Sequence, residues 1–391
     1  MPTLFLVVFV NVLGFGLIVP LLPFYVERLG GGPETVTLII ALYSLLQFLT
    51  APLIGRLSDR YGRRPLMAWT MLGTILGHVL LGIADSLWLV IVSRAILGVM
   101  AGNLGVAYAY ASDITTHDQR AKAIGILSAG FGMGFMFGPG IGGLLAGDEV
   151  ETANFLLPAF SAAGLSIIGL ICILFVLPES LKPEDRADHP DAPKVSMLEQ
   201  IKTTFELESV AILSIVSLLL YAAWSMLLAI FALWANRVLD HGPREIGFVF
   251  MYMGMIGTVA QLTLIGPLAK RVGEMPVILF TVLTMVIGLL LIASATNLPM
   301  TLLAVTVLAA SHSVFTPMTT SVVSKHASPK DRGTVLGIFQ GFGSLGRVIG
   351  PAFAGFAFSQ LGYTSPYLIG AAVMVPCCIL TLIMLRQANG R

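Results

Sequence analysis

The chain has 391 residues, of which 56% are hydrophobic and only 11% are charged. A soluble domain carries about 25% charged residues, so this composition cannot cover a water-facing surface and excludes an ordinary soluble protein. The formal net charge of +1 gives no electrostatic basis for binding nucleic acid. The three cysteines lie in apolar runs without metal-ligand spacing, and we interpret them as small hydrophobic residues: Cys172, Cys377 and Cys378.

Apolar runs long enough to cross a bilayer, which takes about 20 residues in a helix, occur twelve times. Nearly every run contains Gly or Pro, which membrane bundles tolerate because neighbouring helices pack closely and satisfy freed backbone groups. The first run has no basic segment before it, and we interpret it as a retained span rather than a signal peptide. We predict an all-α membrane protein with spans at 4–26, 35–55, 66–84, 87–111, 120–146, 154–177, 209–234, 245–269, 276–295, 299–323, 333–358 and 364–386.

Basic residues lie almost entirely on one side of these predicted spans. With the N-terminus in the cytoplasm, the opposite side holds only Arg28, Arg237 and Arg244. Because basic loops are retained on the cytoplasmic side, we expect both termini there. The basic residues assigned to that side are Arg56, Arg60, Arg63, Arg64, Arg120, Lys122, Lys182, Arg186, Lys194, Lys202, Lys270, Arg271, Lys325, Lys330, Arg332, Arg386 and Arg391.

A polar stretch rich in Pro, Asp, Glu and Lys separates spans six and seven. We interpret 178–208 as a cytoplasmic linker between an N-terminal six-helix bundle, 1–177, and a C-terminal six-helix bundle, 209–391. Within the linker, Met197–Phe205 is a candidate interfacial helix.

The two predicted bundles share sequence motifs at a nearly constant offset. The segment 55–62 is echoed at 266–273, an offset of 211 residues (266 minus 55). Arg120 and Gly138-Pro139 recur as Arg332 and Gly350-Pro351, an offset of 212 (332 minus 120). A constant offset indicates duplication of a six-span unit, an arrangement typical of transporters whose substrate site lies near the membrane midplane between the repeats.

The loop predicted after span two reads Gly55-Arg56-Leu57-Ser58-Asp59-Arg60-Tyr61-Gly62-Arg63-Arg64-Pro65 and closely resembles the signature loop of the major facilitator superfamily. The resemblance implies two pseudo-symmetric six-helix bundles and a gating role for this loop.

Asp59 can face the start of span eleven at 328–331. A helix N-terminus there would stabilise a carboxylate by about 0.3–1 kcal/mol, and Ser328 and Pro329 suit the N-cap and first helical positions. Asp113 is a candidate partner of Arg64. The alternative is a basic loop that only fixes orientation. The gating candidates are Gly55, Asp59, Arg60, Gly62, Arg63, Arg64 and Asp113.

Span four contains Ser93-Arg94-Ala95-Ile96-Leu97-Gly98, which resembles the second motif of the same family. An arginine inside a span costs at least about 2.5 kcal/mol and usually faces a cavity or a partner. The alternative is that Arg94 extends toward the near membrane edge.

Span five repeats glycine every four residues, at Gly130, Gly134, Gly138 and Gly142, with Pro139 beside the third. Such a smooth face predicts close approach of another helix. The pattern resembles the Gly-Pro motif of the family's drug:proton antiporters and favours export. Ahead of this span, Thr116 and Gln119 have the spacing of a capping box.

Span one, from Asn11 to Pro23, resembles the first span of tetracycline exporters, and Tyr43, Gln47 and Gln261 match the same branch, which includes animal relatives. The resemblance implies a plasma (inner) membrane protein and places these residues at the substrate. The exporters carry Asp where this chain has Asn11, and another near Met285. No Asp or Glu lies at mid-membrane depth in this chain, whereas proton coupling needs a group that titrates in the cavity. Whether protons are coupled, and through which residue, is left open.

The strongest polar signal at depth is Arg347, about 14 residues or 20 Å into span eleven. With no mid-depth acid beside it, a substrate anion is its natural counter-charge; the alternative is structural pairing with backbone carbonyls. His78 and His312 are each either packing residues or proton carriers. The substrate and coupling candidates are Arg347, Arg94, Asn11, Tyr43, Gln47, Asn103, Gln261 and His312.

The sequence therefore predicts a secondary-active transporter that works by alternating access and exports amphipathic small molecules, with anions favoured. A lipid or lysolipid translocator of the same fold is the alternative within transport, and a non-transporting membrane receptor or scaffold is the alternative from another class. No catalytic triad, metal cluster or nucleotide loop is recognisable in the sequence, so we expect neither an enzyme nor a cofactor. The expected partners are the small substrate, the bilayer and, if coupled, protons; we expect a monomer.

Overall fold

The computed structural model describes residues 1–181, 197–328 and 331–389, and within these residues all regular structure is α-helical. The first half contains α1 Pro2–Ile18, α2 Leu22–Arg28, α3 Pro33–Tyr61, α4 Arg63–Gly82, α5 Leu87–Met100, α6 Asn103–Asp113, α7 His117–Ala146 and α8 Leu156–Phe175. The second contains α9 Met197–Phe205, α10 Glu208–Leu239, α11 Pro243–Thr263, α12 Ile265–Arg271, α13 Glu274–Ala293, α14 Leu298–His326, α15 Arg332–Leu361 and α16 Ser365–Asn389.

Every predicted apolar run falls on one or two of these helices. Among the described residues, ten helical stretches are long and apolar enough to cross a membrane when α5 and α6 are counted as one, and eleven if the bent pair α1 and α2 is also one span. That pair bends by 42° around Pro20, which cannot donate a backbone hydrogen bond. The remaining run is α15, which has 30 residues but is less apolar because it contains many glycines and Arg347. The predicted all-α membrane architecture is confirmed.

The helices form two compact units. Unit one comprises Met1–Asp191 and Asp240–Gly254, and unit two comprises Ala192–Leu239 and Met255–Arg391. The start of α11 thus packs with the first unit. Residues 182–196 of the predicted linker lie outside the described residues, and a helix, α9, forms at the predicted position.

Two predicted helix starts differ from the structure in their details. Helix α7 begins after Thr116, as expected, but the Thr116 side chain makes no capping hydrogen bond. Helix α15 begins at Arg332 rather than at Pro329, which lies outside the described residues. The Ser328 hydroxyl accepts a hydrogen bond from the Asp331 amide at 3.2 Å and donates one to the Asp331 carboxylate at 2.7 Å.

Helices α1 and α7 approach each other backbone to backbone in unit one. A Cβ added at Gly138 would lie 2.7 Å from the Gly16 Cα and 2.9 Å from the Leu13 carbonyl oxygen. A Cβ at Gly134 would lie 2.9 Å from the Leu13 amide nitrogen, and one at Gly142 would overlap the Leu17 carbonyl. A Cβ added at Gly130 would lie 3.1 Å from a ring carbon of Phe5 and 3.2 Å from the Phe5 carbonyl oxygen. Because backbone cannot move aside as a side chain can, this face excludes any larger residue.

We expect Gly138→Leu to disrupt this contact and to lower the thermal stability of the detergent-purified protein by several degrees or to abolish its accumulation, since overpacking typically costs 1–3 kcal/mol or more. Gly125→Leu is the matched control, because Gly125 lies on the same helix and has nothing within 4 Å of an added Cβ. The exposed Leu144 should tolerate Ala within about 0.5 kcal/mol. Equal melting temperatures for the two leucine variants would contradict the close approach.

Candidate functional site

The segment predicted as a loop after span two is mostly helix. Helix α3 continues through Tyr61, with the Ser58 hydroxyl bonded to the Gly55 carbonyl at 2.7 Å, and only Gly62 breaks the path into α4. Gly62 has φ +103°, a conformation that side chains other than glycine rarely adopt. Gly55 has open space around it, and Arg60 is exposed with its guanidinium 5.5 Å from the Tyr61 ring centroid.

Arg63 is the centre of an ion-pair network at this end of unit one. Its side chain is only 10% exposed and pairs with Asp113 at 3.0 Å and with Asp59 at 2.5 Å. It also donates to the Ser58 hydroxyl at 2.6 Å. The suggested pairing of Asp113 with Arg64 is therefore wrong. One residue is 100° of helix rotation, so Arg63 turns toward α6 while Arg64 turns toward the end of α8, where it donates to the Ile173 and Leu174 carbonyls.

Glu179 completes this network and was missed by the sequence reasoning. Its carboxylate accepts the backbone amides of Arg63 at 2.9 Å, Arg64 at 3.2 Å and Leu181 at 3.1 Å. It thus satisfies the free N–H groups at the start of α4. A Cβ on Gly62 would lie 2.5 Å from the same carboxylate, so Gly62 is needed for space as well as for its backbone angle. The sequence feature that could have identified Glu179 is its position as an acidic residue, in Pro178-Glu179-Ser180, immediately after the sixth predicted span.

Unit two has the same arrangement with the charges exchanged. At an offset of 211 residues, Gly273 matches Gly62 and has φ +93°, and Glu274 takes the position of Arg63. Glu274 pairs with Lys325 at 2.7 Å, and Lys325 lies 212 residues after Asp113. The repeat has therefore kept the ion pair and its geometry while inverting both signs.

Arg94 is buried inside unit one against aromatic rings. It is 3% exposed, with its guanidinium carbon 4.6 Å from the Tyr43 ring centroid and 5.9 Å from that of Phe15. The two rings stack at 5.4 Å, and His78 on α4 is also buried. Of the residues that the structure describes, none accepts a hydrogen bond from the Arg94 Nε or Nη1. Extension of Arg94 to the membrane edge is inconsistent with this burial.

Two of the predicted polar residues meet in a small crevice between α1 and α6. Asn11 and Asn103 line it together with Val7, Val8, Leu104 and Ala107. Asn103 is 3% exposed, and within the described part of the chain neither atom of its amide has a partner. Gln47 is half-buried one turn after Tyr43 on α3. Gln261, by contrast, is exposed near the end of α11 and belongs to unit two.

Arg347 and His312 belong to a cluster in the middle of unit two, which we call the Arg347 cluster. It consists of Tyr221 and Trp224 on α10, His312 on α14 and Arg347 on α15. The guanidinium carbon of Arg347 lies 5.1 Å from the Tyr221 ring centroid, and its Nη2 donates to the Ser344 hydroxyl at 2.7 Å. The His312 ring stacks on Trp224 at 4.3 Å and 11° and meets Tyr221 edge-on at 5.3 Å.

The backbone holds the Arg347 cluster in place. Added Cβ atoms at Gly343 and Gly346 would each lie 3.0 Å from Tyr221, so α15 passes close to α10 at this level. The Tyr221 hydroxyl is fixed by a 2.9 Å hydrogen bond to the Thr316 hydroxyl. Sequence reasoning missed Tyr221 and Trp224; their three-residue spacing, which places both on one helix face, was the available signal.

Acidic side chains are confined to the ends of the described helices. Every Asp and Glu in a helix lies within its first or last three residues. The two mid-helix guanidinium groups, Arg94 and Arg347, therefore lie on aromatic rings and hydroxyls rather than against carboxylates of their own units.

We expect Glu179→Gln to destabilise the protein by about 0.5–2 kcal/mol, the usual range for loss of a helix cap, because a neutral amide accepts the two α4 amides less well. A lower melting temperature of the purified variant checks this. Glu206→Gln, which removes an exposed carboxylate, is the control. A Glu179 variant as stable as that control would show that the carboxylate contributes nothing to the start of α4.

Comparison with known proteins agrees with this architecture. A model of the Major Facilitator Superfamily matches residues 4–263 and 213–390. The chain is 28% identical over 385 residues to Multidrug resistance protein 2 of Bacillus subtilis (strain 168), covering 98% of this chain and 94% of that protein. It is 27% identical over 373 residues to the class C tetracycline resistance protein of Escherichia coli, covering 94% and 92%.

Solved structures share the fold across the whole chain. The crystal structure of the human organic anion transporter MFSD10 (TETRAN) aligns with a TM-score of 0.73 at 23% identity, covering 97% of this chain and 98% of that one. The helical architecture, the repeated motifs and the family match over most of the sequence lead to one conclusion: this chain belongs to the Major Facilitator Superfamily and is a membrane transporter.

Proposed function

We propose that this transporter exports amphipathic organic anions by alternating access. The observation that carries the proposal is the placement of charge: the mid-helix cations Arg94 and Arg347 lie on aromatic rings, while the helical acids lie at helix ends. An anion with an apolar body would find both a counter-charge and ring surface at the Arg347 cluster.

The energies favour a charged partner for these arginines. An arginine at the centre of a span costs about 2.5–3.5 kcal/mol on insertion scales. A cation–π contact contributes about 0.5–2 kcal/mol toward offsetting that cost. A bidentate anion would add to the protein contacts of the arginine and would draw on the planar geometry that arginine has and lysine lacks.

The named relatives support export as the direction of transport and a negative charge on the substrate. The multidrug and tetracycline resistance proteins favour removal of compounds from the cell, and the organic anion transporter favours negatively charged compounds. The neutral Asn11, where tetracycline exporters carry an acid, also favours anions over cations. We further propose that the Gly62 and Gly273 ends of the two units face the cytoplasm of the plasma (inner) membrane, because basic residues are concentrated there.

The Asp59 carboxylate tests the gating part of this proposal. It is 47% exposed and pairs with Arg63, and we propose that it helps to hold the cytoplasmic side shut. Asp59→Asn should reduce transport while leaving the melting temperature nearly unchanged. It should also increase the labelling of a cysteine introduced at Gly55, a position with open space, by a thiol reagent applied from the cytoplasmic side. Unchanged labelling together with full transport would refute this role.

Charge selectivity is tested by three ligands of one shape: naphthalene-2-sulfonate, naphthalene-2-sulfonamide and 2-naphthylmethylammonium. On purified protein, the sulfonate should bind best. Arg347→Gln should weaken its binding by about 1.5–3 kcal/mol, the range for a hydrogen bond to a charged group, while the neutral sulfonamide loses much less. Arg347→Lys should restore binding only in part.

Arg237 provides the matched control for the same measurement. It also lies over aromatic rings, 5.3 Å from the Phe358 centroid and 5.5 Å from that of Tyr363, but near the end of α10. Arg237→Gln should leave sulfonate binding unchanged. Tightest binding of the cation, or an equal effect of Arg347→Gln on all three ligands, would overturn the proposal of anion transport.

A further inference from the structure

A cavity of about 320 Å³ lies at the Gly273 end of unit two, between the start of α13, the end of α14 and α16. We call it the Lys325 cavity. Its volume falls within the range of small-molecule sites, about 300–1,000 Å³. The lining combines ionisable side chains with apolar ones, among them Glu274, Lys325 and His326 of the first kind and Met275, Val322 and Leu385 of the second. A lining of this composition suits an amphipathic molecule.

Positive charge predominates around the Lys325 cavity. The carboxylate of Glu274 is already used by protein donors, since Oε1 accepts from the Ser321 hydroxyl at 2.6 Å and Oε2 from Lys325 at 2.7 Å. Lys325 is 65% exposed and has two further N–H groups to donate. Helix α12 contacts both α13 and α14, and its end and that of α16 add three exposed basic residues: Lys270, Arg271 and Arg386. The surrounding charge therefore favours an anion.

The start of α13 adds backbone donors to the same cavity. The amides of Glu274 and Met275 have no acceptor among the described residues, and no side chain caps this helix. In unit one the first two amides of α4, at the equivalent positions 211 residues earlier, donate to the Glu179 carboxylate. The position equivalent to Glu179 in unit two is 390 (179 plus 211), which is a glycine. An anion in the Lys325 cavity would take the place that Glu179 has in unit one.

An exposed apolar surface continues from the Lys325 cavity along two helices. Phe280 lies one turn after Pro276 of the lining, and Leu382 lies one turn before Leu385; both side chains are exposed. Both α13 and α16 are long and apolar enough to cross the membrane, so this surface lies against acyl chains. One molecule with an anionic head and apolar tails can therefore contact both the cavity and this surface.

We propose that the Lys325 cavity binds the head group of an anionic phospholipid. The phosphate accepts hydrogen bonds from Lys325 and from the first two amides of α13, and the acyl chains lie along Phe280 and Leu382. The lipid belongs to the leaflet at the Gly273 end, which is the cytoplasmic one in the orientation proposed above. This inference does not depend on the transport of organic anions.

Native mass spectrometry of the detergent-purified protein tests this site, because it resolves the binding of single lipids without a charged membrane surface. The probes are dioleoylphosphatidylglycerol and dioleoylphosphatidylcholine, which have the same chains and the same phosphate. The first phosphatidylglycerol should bind more tightly than the first phosphatidylcholine, because the choline group cancels the phosphate charge. Glycerol 3-phosphate, a soluble phosphate without chains, should bind more weakly than phosphatidylglycerol.

Two variants break the same ion pair with opposite effects on the charge of the cavity. Lys325→Gln should weaken phosphatidylglycerol binding by roughly 10- to 150-fold, the range for a hydrogen bond to a charged group. Glu274→Gln also breaks the pair but keeps the lysine, so phosphatidylglycerol should bind as tightly as to the wild type or more tightly. Lys202→Gln is the charge control, since Lys202 is an exposed lysine of unit two outside the lining, and it should bind as the wild type.

Three results would overturn the proposal. Equal binding of the two lipids would show that the cavity does not select negative charge. Equal weakening by Lys325→Gln and Glu274→Gln would assign the effect to the ion pair rather than to a lipid contact. Glycerol 3-phosphate that binds as tightly as phosphatidylglycerol would make this a site for soluble phosphates. None of these results bears on anion transport, which the naphthalene ligands test separately.

Discussion

The constraint on which the rest of this structure depends is the cost of placing charge inside an apolar helix bundle. Acids in the described helices are kept to the first or last turn, as Glu274 is at the start of α13, where it pairs with Lys325. Glu179 lies just beyond α8 and accepts the backbone amides at the start of α4. The two mid-helix arginines lie against rings and a hydroxyl. We propose that this placement of charge favours an anionic substrate.

Close backbone approach is what allows these charges to be positioned accurately. In unit one the glycine face of α7 lets α1 come within backbone contact, and Asn11 and Phe15 lie on α1 in the same stretch. In unit two Gly343 and Gly346 bring α15 against Tyr221, one turn from Arg347. The duplicated unit retains the Gly62 and Gly273 turns with an ion pair beside each, although the signs of the two charges are exchanged.

Hydropathy and motif spacing predict the helices well because apolar length and glycine periodicity are local properties. Pairings that depend on helix rotation are not local, which is why Asp113 was assigned to Arg64 rather than to the adjacent Arg63. Glu179 was missed because its partners are backbone amides more than a hundred residues away. Tyr221 and Trp224 were missed because aromatic residues are common in apolar spans, and only the crossing with α14 and α15 distinguishes them.

The central claim, that Arg347 holds an anionic substrate, is tested most directly by a crystal structure of the protein with 6-bromonaphthalene-2-sulfonate. Anomalous scattering from bromine fixes the orientation of the ligand. The account predicts the sulfonate within hydrogen-bond distance of the Arg347 guanidinium, with the naphthalene ring against the aromatic residues of the same cluster. A sulfonate bound away from Arg347, with that guanidinium still contacting only protein groups, would contradict it.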